Sequence, residues 1–315
     1  MKLFFSDEDY YYKAMAVLNS ECSSNRSQVD AFLLLIQNIP FYDLENLCDE
    51  IAKNYHISPD EAYQYLQGGF SYIKGGLLDI VDELLDRGIP FGNHIIGNNI
   101  NTSSWLSHSV YEARLCQKLA NRLGLNPNIA YNFGLLHDYG RKFSHKFDHT
   151  VKGFEALIDM GLMESRACLT HSFLNDGRFN NNEIPDDIES IDNIEHIKND
   201  YDDLAKLLRN VSYTDYDRIL NIADLMASDK GILSPIDRIY DILSRRGEID
   251  KSPNRVYFLT SFYNTLLWYL EKIGEKTDYK YLDYKNLTLE EIYKYLSEIS
   301  TVFYQTVMEN KEWTK

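Results

Sequence analysis

A histidine and an aspartate stand side by side in Gly134-Leu135-Leu136-His137-Asp138-Tyr139-Gly140-Arg141, at the end of an apolar run. A neutral imidazole nitrogen and a hard carboxylate oxygen together suit a borderline divalent metal such as Fe, Mn or Zn. Neighbouring helix residues diverge by about 100°. Both can therefore reach one ion only near a helix end or where other elements converge, so further ligands are expected elsewhere in the chain. The candidates are His108 in Ser107-His108-Ser109-Val110-Tyr111-Glu112-Ala113, His149 in His149-Thr150-Val151-Lys152-Gly153, His171 in Leu169-Thr170-His171-Ser172, and Asp224 in Ile222-Ala223-Asp224-Leu225. Asp224 lies beside the apolar face Leu220, Ala223 and Ala227, and a carboxylate there needs a partner. A metal is the economical one. Five of the eight histidines fall between positions 108 and 171, which packing alone does not explain.

A lone His-Asp dipeptide carries no weight, but the ordered set His…His-Asp…His…His…Asp does. With each ligand placed on its own predicted helix, it resembles the HD-domain metal-dependent phosphohydrolase superfamily over about Ser103 to Gly231. The resemblance implies an all-α, HD-like helical bundle. It gives His108, His137, Asp138 and Asp224 as the minimal ligand set. His149 and His171 resemble the additional ligands of dinuclear members, with Asp138 as a bridge. Two divalent ions are expected, Fe or Mn first, with Mg, Ni, Zn or Co also admitted. Arg141 occupies the position where members with a His-Asp-x-Gly-Lys pattern carry lysine. It would contact a substrate phosphate beside Asp138 in the catalytic centre, and its planar guanidinium suits that contact. Lys142 and Lys152 are weaker substrate-binding candidates of the same kind. The expected substrate is a small phosphorylated compound, a nucleotide or dinucleoside polyphosphate. Ser172-Phe173 follows His171 where cyclic dinucleotide phosphodiesterases carry their own signature, and the Glu-Asp pair of alarmone hydrolases is missing after Asp138. Neither of those substrates is implied.

The elements that must position these residues read as helices. Thr102 or Ser103 starts a helix through Trp105, Leu106, Val110, Ala113, Cys116, Leu119 and Leu123, ended by Gly124. His108 lies in its first two turns. Asn126-Pro127 restarts the chain, and Ile129, Ala130, Phe133 and Leu136 keep helical spacing until a break near Gly140. His149 opens an amphipathic helix ended by Gly161. His145, in the short basic piece before it, competes as a ligand, and His149 is preferred. It sits in His-x-x-x-Gly, which looks like the family pattern of a histidine followed by a small residue for close packing. Residues 164–173 form the next helix, with His171 on one side. Thr214 with Asp217 is an Asp variant of the capping box and opens the helix of Asp224.

Around this core of residues 101–232 stand two other regions. Residues 1–100 read as an N-terminal helical extension, with helices over 7–20, 29–36, 44–55, from Ser58-Pro59 onward, and over 77–85. Residues 233–315 read as a C-terminal helical cap, an oligomer surface in one reading, with helices over 235–244, 253–273 and 287–308 and a capping box at Thr288 and Glu291. A polar insertion over about 174–212 reads equally as a lid over the metal site or as a surface loop.

The formal net charge of −16 argues against binding long nucleic acids through the general surface. A helix pair around Asn54 to Ser58 looks like a helix-turn-helix, but its second helix carries no Lys or Arg before Lys74, and a recognition helix needs cations to grip phosphates. The glycine pairs at 68–69 and 75–76 lack the Lys-Ser/Thr of a phosphate loop. His94 falls in a Gly/Asn-rich connection and reads as solvated. Four cysteines without a CxxC pair indicate a reduced, cytoplasmic protein. No stretch approaches the ~18 apolar residues of a membrane span, so no membrane partner is expected. The functional alternatives are a phosphohydrolase and a non-catalytic nucleotide-sensing HD protein, the second disfavoured by the complete ligand set.

Overall fold

The computed structural model describes residues 5–24, 26–36, 48–49, 51–53, 56–62, 102–144, 148–175, 203–208, 210–246 and 253–308. The expected helix over 77–85, the glycine pairs, the connection with His94, His145 and most of the polar insertion lie outside these residues. So does most of the second helix of the suspected helix-turn-helix.

Among the described residues the fold is all-α, apart from one hairpin of two-residue strands. Helix α1 spans Glu8–Leu18 and α2 spans Gln28–Ile36. Helix α3 spans Thr102–Arg122 and α4 spans Pro127–Leu136. A 3-10 turn covers Tyr139–Lys142, followed by α5 over His149–Asp159 and α6 over Ser165–Thr170. Helix α7, Asp215–Asp224, leads into strands β1 (Ala227–Ser228) and β2 (Gly231–Ile232), paired antiparallel with Ala227 opposite Ile232. Helices α8 (Pro235–Arg246), α9 (Pro253–Lys272) and α10 (Leu289–Met308) complete the described chain. None of the described helices is long and apolar enough to cross a membrane.

Local chemistry sets the boundaries. Asn126 accepts the amide of Asn128 ahead of Pro127, which lacks the N–H that a first-turn position leaves unpaired. Thr214 and Asp217 close the expected capping box, each side chain accepting the other's main-chain N–H. Thr288 and Glu291 do the same before α10. Helix α4 ends at Leu136, four residues before Gly140, and α6 is shorter than the expected 164–173. At each of these ends a histidine, His137 or His171, is the C-cap and keeps helical backbone angles.

Helices α3 and α4 are shared between two hydrophobic clusters. Leu106, Val110 and Ala113 of α3, with Tyr131, Leu135 and Leu136 of α4, join Phe5, Val17, Phe32, Phe154 and Leu204. Leu115, Cys116 and Leu119, with Ala130 and Phe133, join Leu220, Phe262, Leu266, Leu296 and Phe303. Each large apolar side chain buried this way contributes ~1.5–3 kcal/mol. Gly134 lets the two helices approach closely, since a Cβ there would lie 2.8 Å from Cα of Ala113.

The wholly buried Arg166 ties the N-terminal helices to this core. Its guanidinium donates to the carbonyls of Val17 (3.2 Å) and Leu18 (2.7 Å) at the end of α1, to that of Ser212, and to both oxygens of Asp217. The last carbonyls of a helix have no partners within it, so this one side chain satisfies α1 and anchors the start of α7.

Candidate metal centre

His108 and Glu112 lie one turn apart on α3, on the same face. His137 follows the last residue of α4, and Asp138 precedes the 3-10 turn. His149 is the first residue of α5, and His171 follows the last residue of α6. Asp224 is the last residue of α7. His137 and His171 cap the C-terminal ends of their helices with helical backbone angles, and the chain leaves the helical conformation at Asp138, so the two neighbours of the His-Asp pair can converge.

They do converge. Nε2 of His108 lies 3.2 Å from Oε2 of Glu112 and 3.2 Å from Oδ1 of Asp224. Nε2 of His137 lies 3.1 Å from the same Glu112 oxygen and 3.6 Å from Oδ2 of Asp138. Oδ1 of Asp138 is 2.9 Å from Nε2 of His149 and 3.6 Å from Nε2 of His171, and those two nitrogens are 3.3 Å apart. Two groups of ligand atoms result, His108/Glu112/His137/Asp224 and Asp138/His149/His171, and within each all atoms lie inside 4.8 Å of one another. All these residues are buried except Asp224, which is partly exposed.

Three observations show that this set fits divalent metal. First, Nδ1 of His137 is 2.7 Å from the carbonyl of Gly134, and Nδ1 of His171 is 3.1 Å from that of Ala167. A carbonyl only accepts, so each Nδ1 carries the proton, and a neutral ring then turns its Nε2 lone pair inward, that of His171 also accepting from the Ser172 hydroxyl at 2.8 Å. Second, neither oxygen of Glu112 and neither Nε2 of His137 nor Nδ1 of His108 has a hydrogen-bond partner, although all are buried. The short contacts between Glu112 and the imidazoles have the distance of hydrogen bonds without their angles. Buried polar atoms normally find partners, and a cation supplies one to several of these atoms at once. Third, the charges call for a cation. Burial, with the carboxylates of Asp224 and Asp138 adding to it, pushes Glu112 well above the usual range. Asp138 stays well below it: burial alone would raise it, but Arg141, His137 and His149 outweigh that. Asp224 is likewise lowered against burial, by His108 above all. Burial lowers His108 and takes His171 down to about 3, favouring the neutral ring a metal requires. His137 moves up: burial opposes protonation, but Asp138 and Asp224 favour it more. Three carboxylates around one buried volume repel one another, and a dication removes that conflict.

The glycines of the two motifs touch. A Cβ on Gly140 would lie 1.8 Å from the carbonyl oxygen of His149 and 2.6 Å from the amide of Gly153. The 3-10 turn after Asp138 and the helix of His149 can meet only because both positions lack side chains.

All six ligand candidates from the sequence are therefore brought together. His145, the alternative to His149, lies outside the described residues. Among the cations, Nε of Arg141 donates to both oxygens of Asp138 at 3.2 Å. Lys142 is exposed and lies near the rings of Tyr139 and Phe143, and Lys152 pairs with Asp148 at 2.7 Å. The residue missed was Glu112. Its signal was its spacing of four from His108, but on a helix surface the same spacing is an ordinary ion pair. Only burial separates the two.

Fold and centre together define a helical bundle with a buried histidine–carboxylate cluster that could hold metal. Residues 105–229 match the family model of the HD domain, so this segment of the chain is similar to the HD-domain superfamily. Members of this superfamily are generally metal-dependent hydrolases, and the buried clusters fit that chemistry. No solved structure matches the chain.

Proposed function

We propose that the protein is a metal-dependent phosphohydrolase that cleaves a phosphate ester or anhydride of a small, nucleotide-like substrate. The observation carrying this reading is the convergence of His108, Glu112, His137, Asp138, His149, His171 and Asp224 on one buried volume, with Glu112 and His137 presenting unpartnered atoms to it. These residues would hold divalent ions, two of Mn or Fe in this reading, which when bound would supply Lewis acidity toward water and a phosphoryl oxygen. The chain's own groups do the rest. Asp138 touches His149, His171 and Arg141 at once, and so links the ligand set to the substrate cation. Arg141 holds a substrate phosphate, its side chain being 26 % exposed where Asp138 is 6 % exposed. Lys142 and Lys152, one in the same turn and one on the first turn of α5, add positive charge for a longer phosphate chain. Gly134 and Ala167, through their carbonyls, keep His137 and His171 in the tautomer that points a lone pair inward.

The test is phosphate release from a panel of mononucleotides and dinucleoside polyphosphates by Mn- or Fe-loaded protein. Turnover of at least one member is expected, falling more than ~100-fold in Asp138→Ala, beyond the 10–100-fold loss from outer-shell substitutions. A protein whose metal content shows a filled centre, yet which releases no phosphate from any member, contradicts the reading.

A further inference from the structure

The hydroxyl of Ser172 lies 2.8 Å from Nε2 of His171. We propose that Ser172 is a further substrate-binding residue, whose hydroxyl donates to a phosphate oxygen, together with Arg141, once His171 gives its Nε2 lone pair to a metal ion. This rests on the reading of the protein as a metal-dependent phosphohydrolase and adds a neutral donor to its phosphate contacts.

The contact has a direction. His171 keeps helical backbone angles at the end of α6, and neighbouring residues on such a backbone diverge by about 100°. The Ser172 hydroxyl nevertheless reaches the far nitrogen of the preceding ring, so both side chains turn into one volume. Nδ1 of His171 carries its proton toward the carbonyl of Ala167. Nε2 therefore holds the lone pair, and the hydroxyl is the donor. A metal ion held by His171 needs that same lone pair. Hydroxyl and ion compete for it, and when the ion takes it the O–H must find another acceptor. A phosphate oxygen of the substrate is such an acceptor, and an anionic one.

The place of Ser172 at the edge of the cluster favours substrate as the partner. Asp138, His149 and His171 are buried, whereas Ser172 and Arg141 are both partly exposed. Oδ1 of Asp138 lies 3.6 Å from the His171 nitrogen that Ser172 touches and 3.2 Å from Nε of Arg141. A hydroxyl and a guanidinium thus stand at the accessible rim of one buried carboxylate. The main chain here is also held. Asn221 of α7 donates to the carbonyls of Thr170 (3.0 Å) and His171 (2.8 Å), and the second belongs to the peptide that joins His171 to Ser172. A donor fixed in this way costs little to order when an anion arrives.

Two calorimetric titrations test the assignment: Mn(II) into the metal-free protein, and inorganic phosphate into the protein at saturating Mn(II). In Ser172→Ala, phosphate affinity is expected to fall about tenfold or more, the size of a hydrogen bond to a charged group. Mn affinity holds or rises slightly, because a competitor for the His171 lone pair is gone. Ser172→Thr keeps the hydroxyl and restores most of the phosphate affinity. Ser172→Gly repeats the deletion should the alanine variant be unstable. A merely structural hydroxyl gives the opposite pattern, a 10–100-fold loss of Mn affinity as for other residues behind metal ligands, with phosphate binding at saturating Mn unchanged. That pattern, or phosphate affinity equal in wild type and deletion variants, or no phosphate binding by the Mn-loaded wild type, would each overturn the assignment. If phosphate binds equally to all while loaded wild type still turns over substrate, the hydrolase reading stands without Ser172. If phosphate binding depends on Ser172 and no substrate is cut, the phosphate contact stands and the hydrolase reading fails.

Discussion

Two main-chain carbonyls, those of Gly134 and Ala167, decide how His137 and His171 meet the centre. By taking the Nδ1 protons they leave Nε2 as the inward donor, an arrangement that recurs behind metal-bound histidines. Arg141 acts at the same scale, since its guanidinium has five donors in a plane where lysine has a point charge. Arg141→Lys keeps the charge and loses the fork. In steady-state kinetics KM is expected to rise about tenfold, roughly 1.4 kcal/mol and near the low end for a hydrogen bond to a charged group, with metal content unchanged. An unaltered KM would remove Arg141 from substrate binding. Much of the site was legible at this scale, because His137-Asp138 and the outlying His108, His149, His171 and Asp224 are uncommon residue types in an ordered series. Glu112 was not, because glutamate is common on helices and its burial depends on α4 and α7 packing against α3.

At the scale of elements, the centre depends on how closely the 3-10 turn and α5 approach. Gly140→Ala would place a methyl 1.8 Å from the His149 carbonyl oxygen, a contact that only a shift of α5 relieves. Such a shift moves His149 away from Asp138. The expected result is a loss of about 1–3 kcal/mol of stability, as for overpacking generally, read as a lower melting temperature together with weakened metal binding. Gly161→Ala is the control. Its φ of +72° makes alanine strained, but nothing lies within 4 Å of the added carbon. It should cost about 1 kcal/mol from backbone strain and leave metal binding intact. Equal effects of the two substitutions on metal binding would refute the close-approach argument. The helices themselves were readable where caps are explicit, as at Asn126-Pro127, Thr214/Asp217 and Thr288/Glu291. The ends of α4 and α6 were less readable, because neither has an explicit stop: the C-caps are His137 and His171, which keep helical angles. The β1–β2 hairpin, two residues a strand, is too short to leave a periodic pattern.

For the whole molecule, two hydrophobic clusters share α3 and α4, and these helices carry His108, Glu112 and His137. Arg166 locks α1 to α6 and α7, so the helix bearing Asp224 and the segment bearing His171 are held by one buried ion pair. Removing one partner of such a pair leaves an uncompensated charge. Asn221 adds to this by donating to the carbonyls of Thr170 and His171. The net charge of −16 would repel an anionic substrate at long range, so in the proposed function attraction would be local, from metal ions held at the centre and from Arg141. All of this requires that the centre takes up metal, and thermal melting of chelator-treated protein with and without excess Mn(II) measures that most directly. Saturation at about a hundred times the dissociation constant adds ~2.7 kcal/mol, which at about 2–4 °C per kcal/mol for a chain of this order predicts a rise of roughly 5–10 °C. Superimposable melting curves in the two conditions would contradict the account.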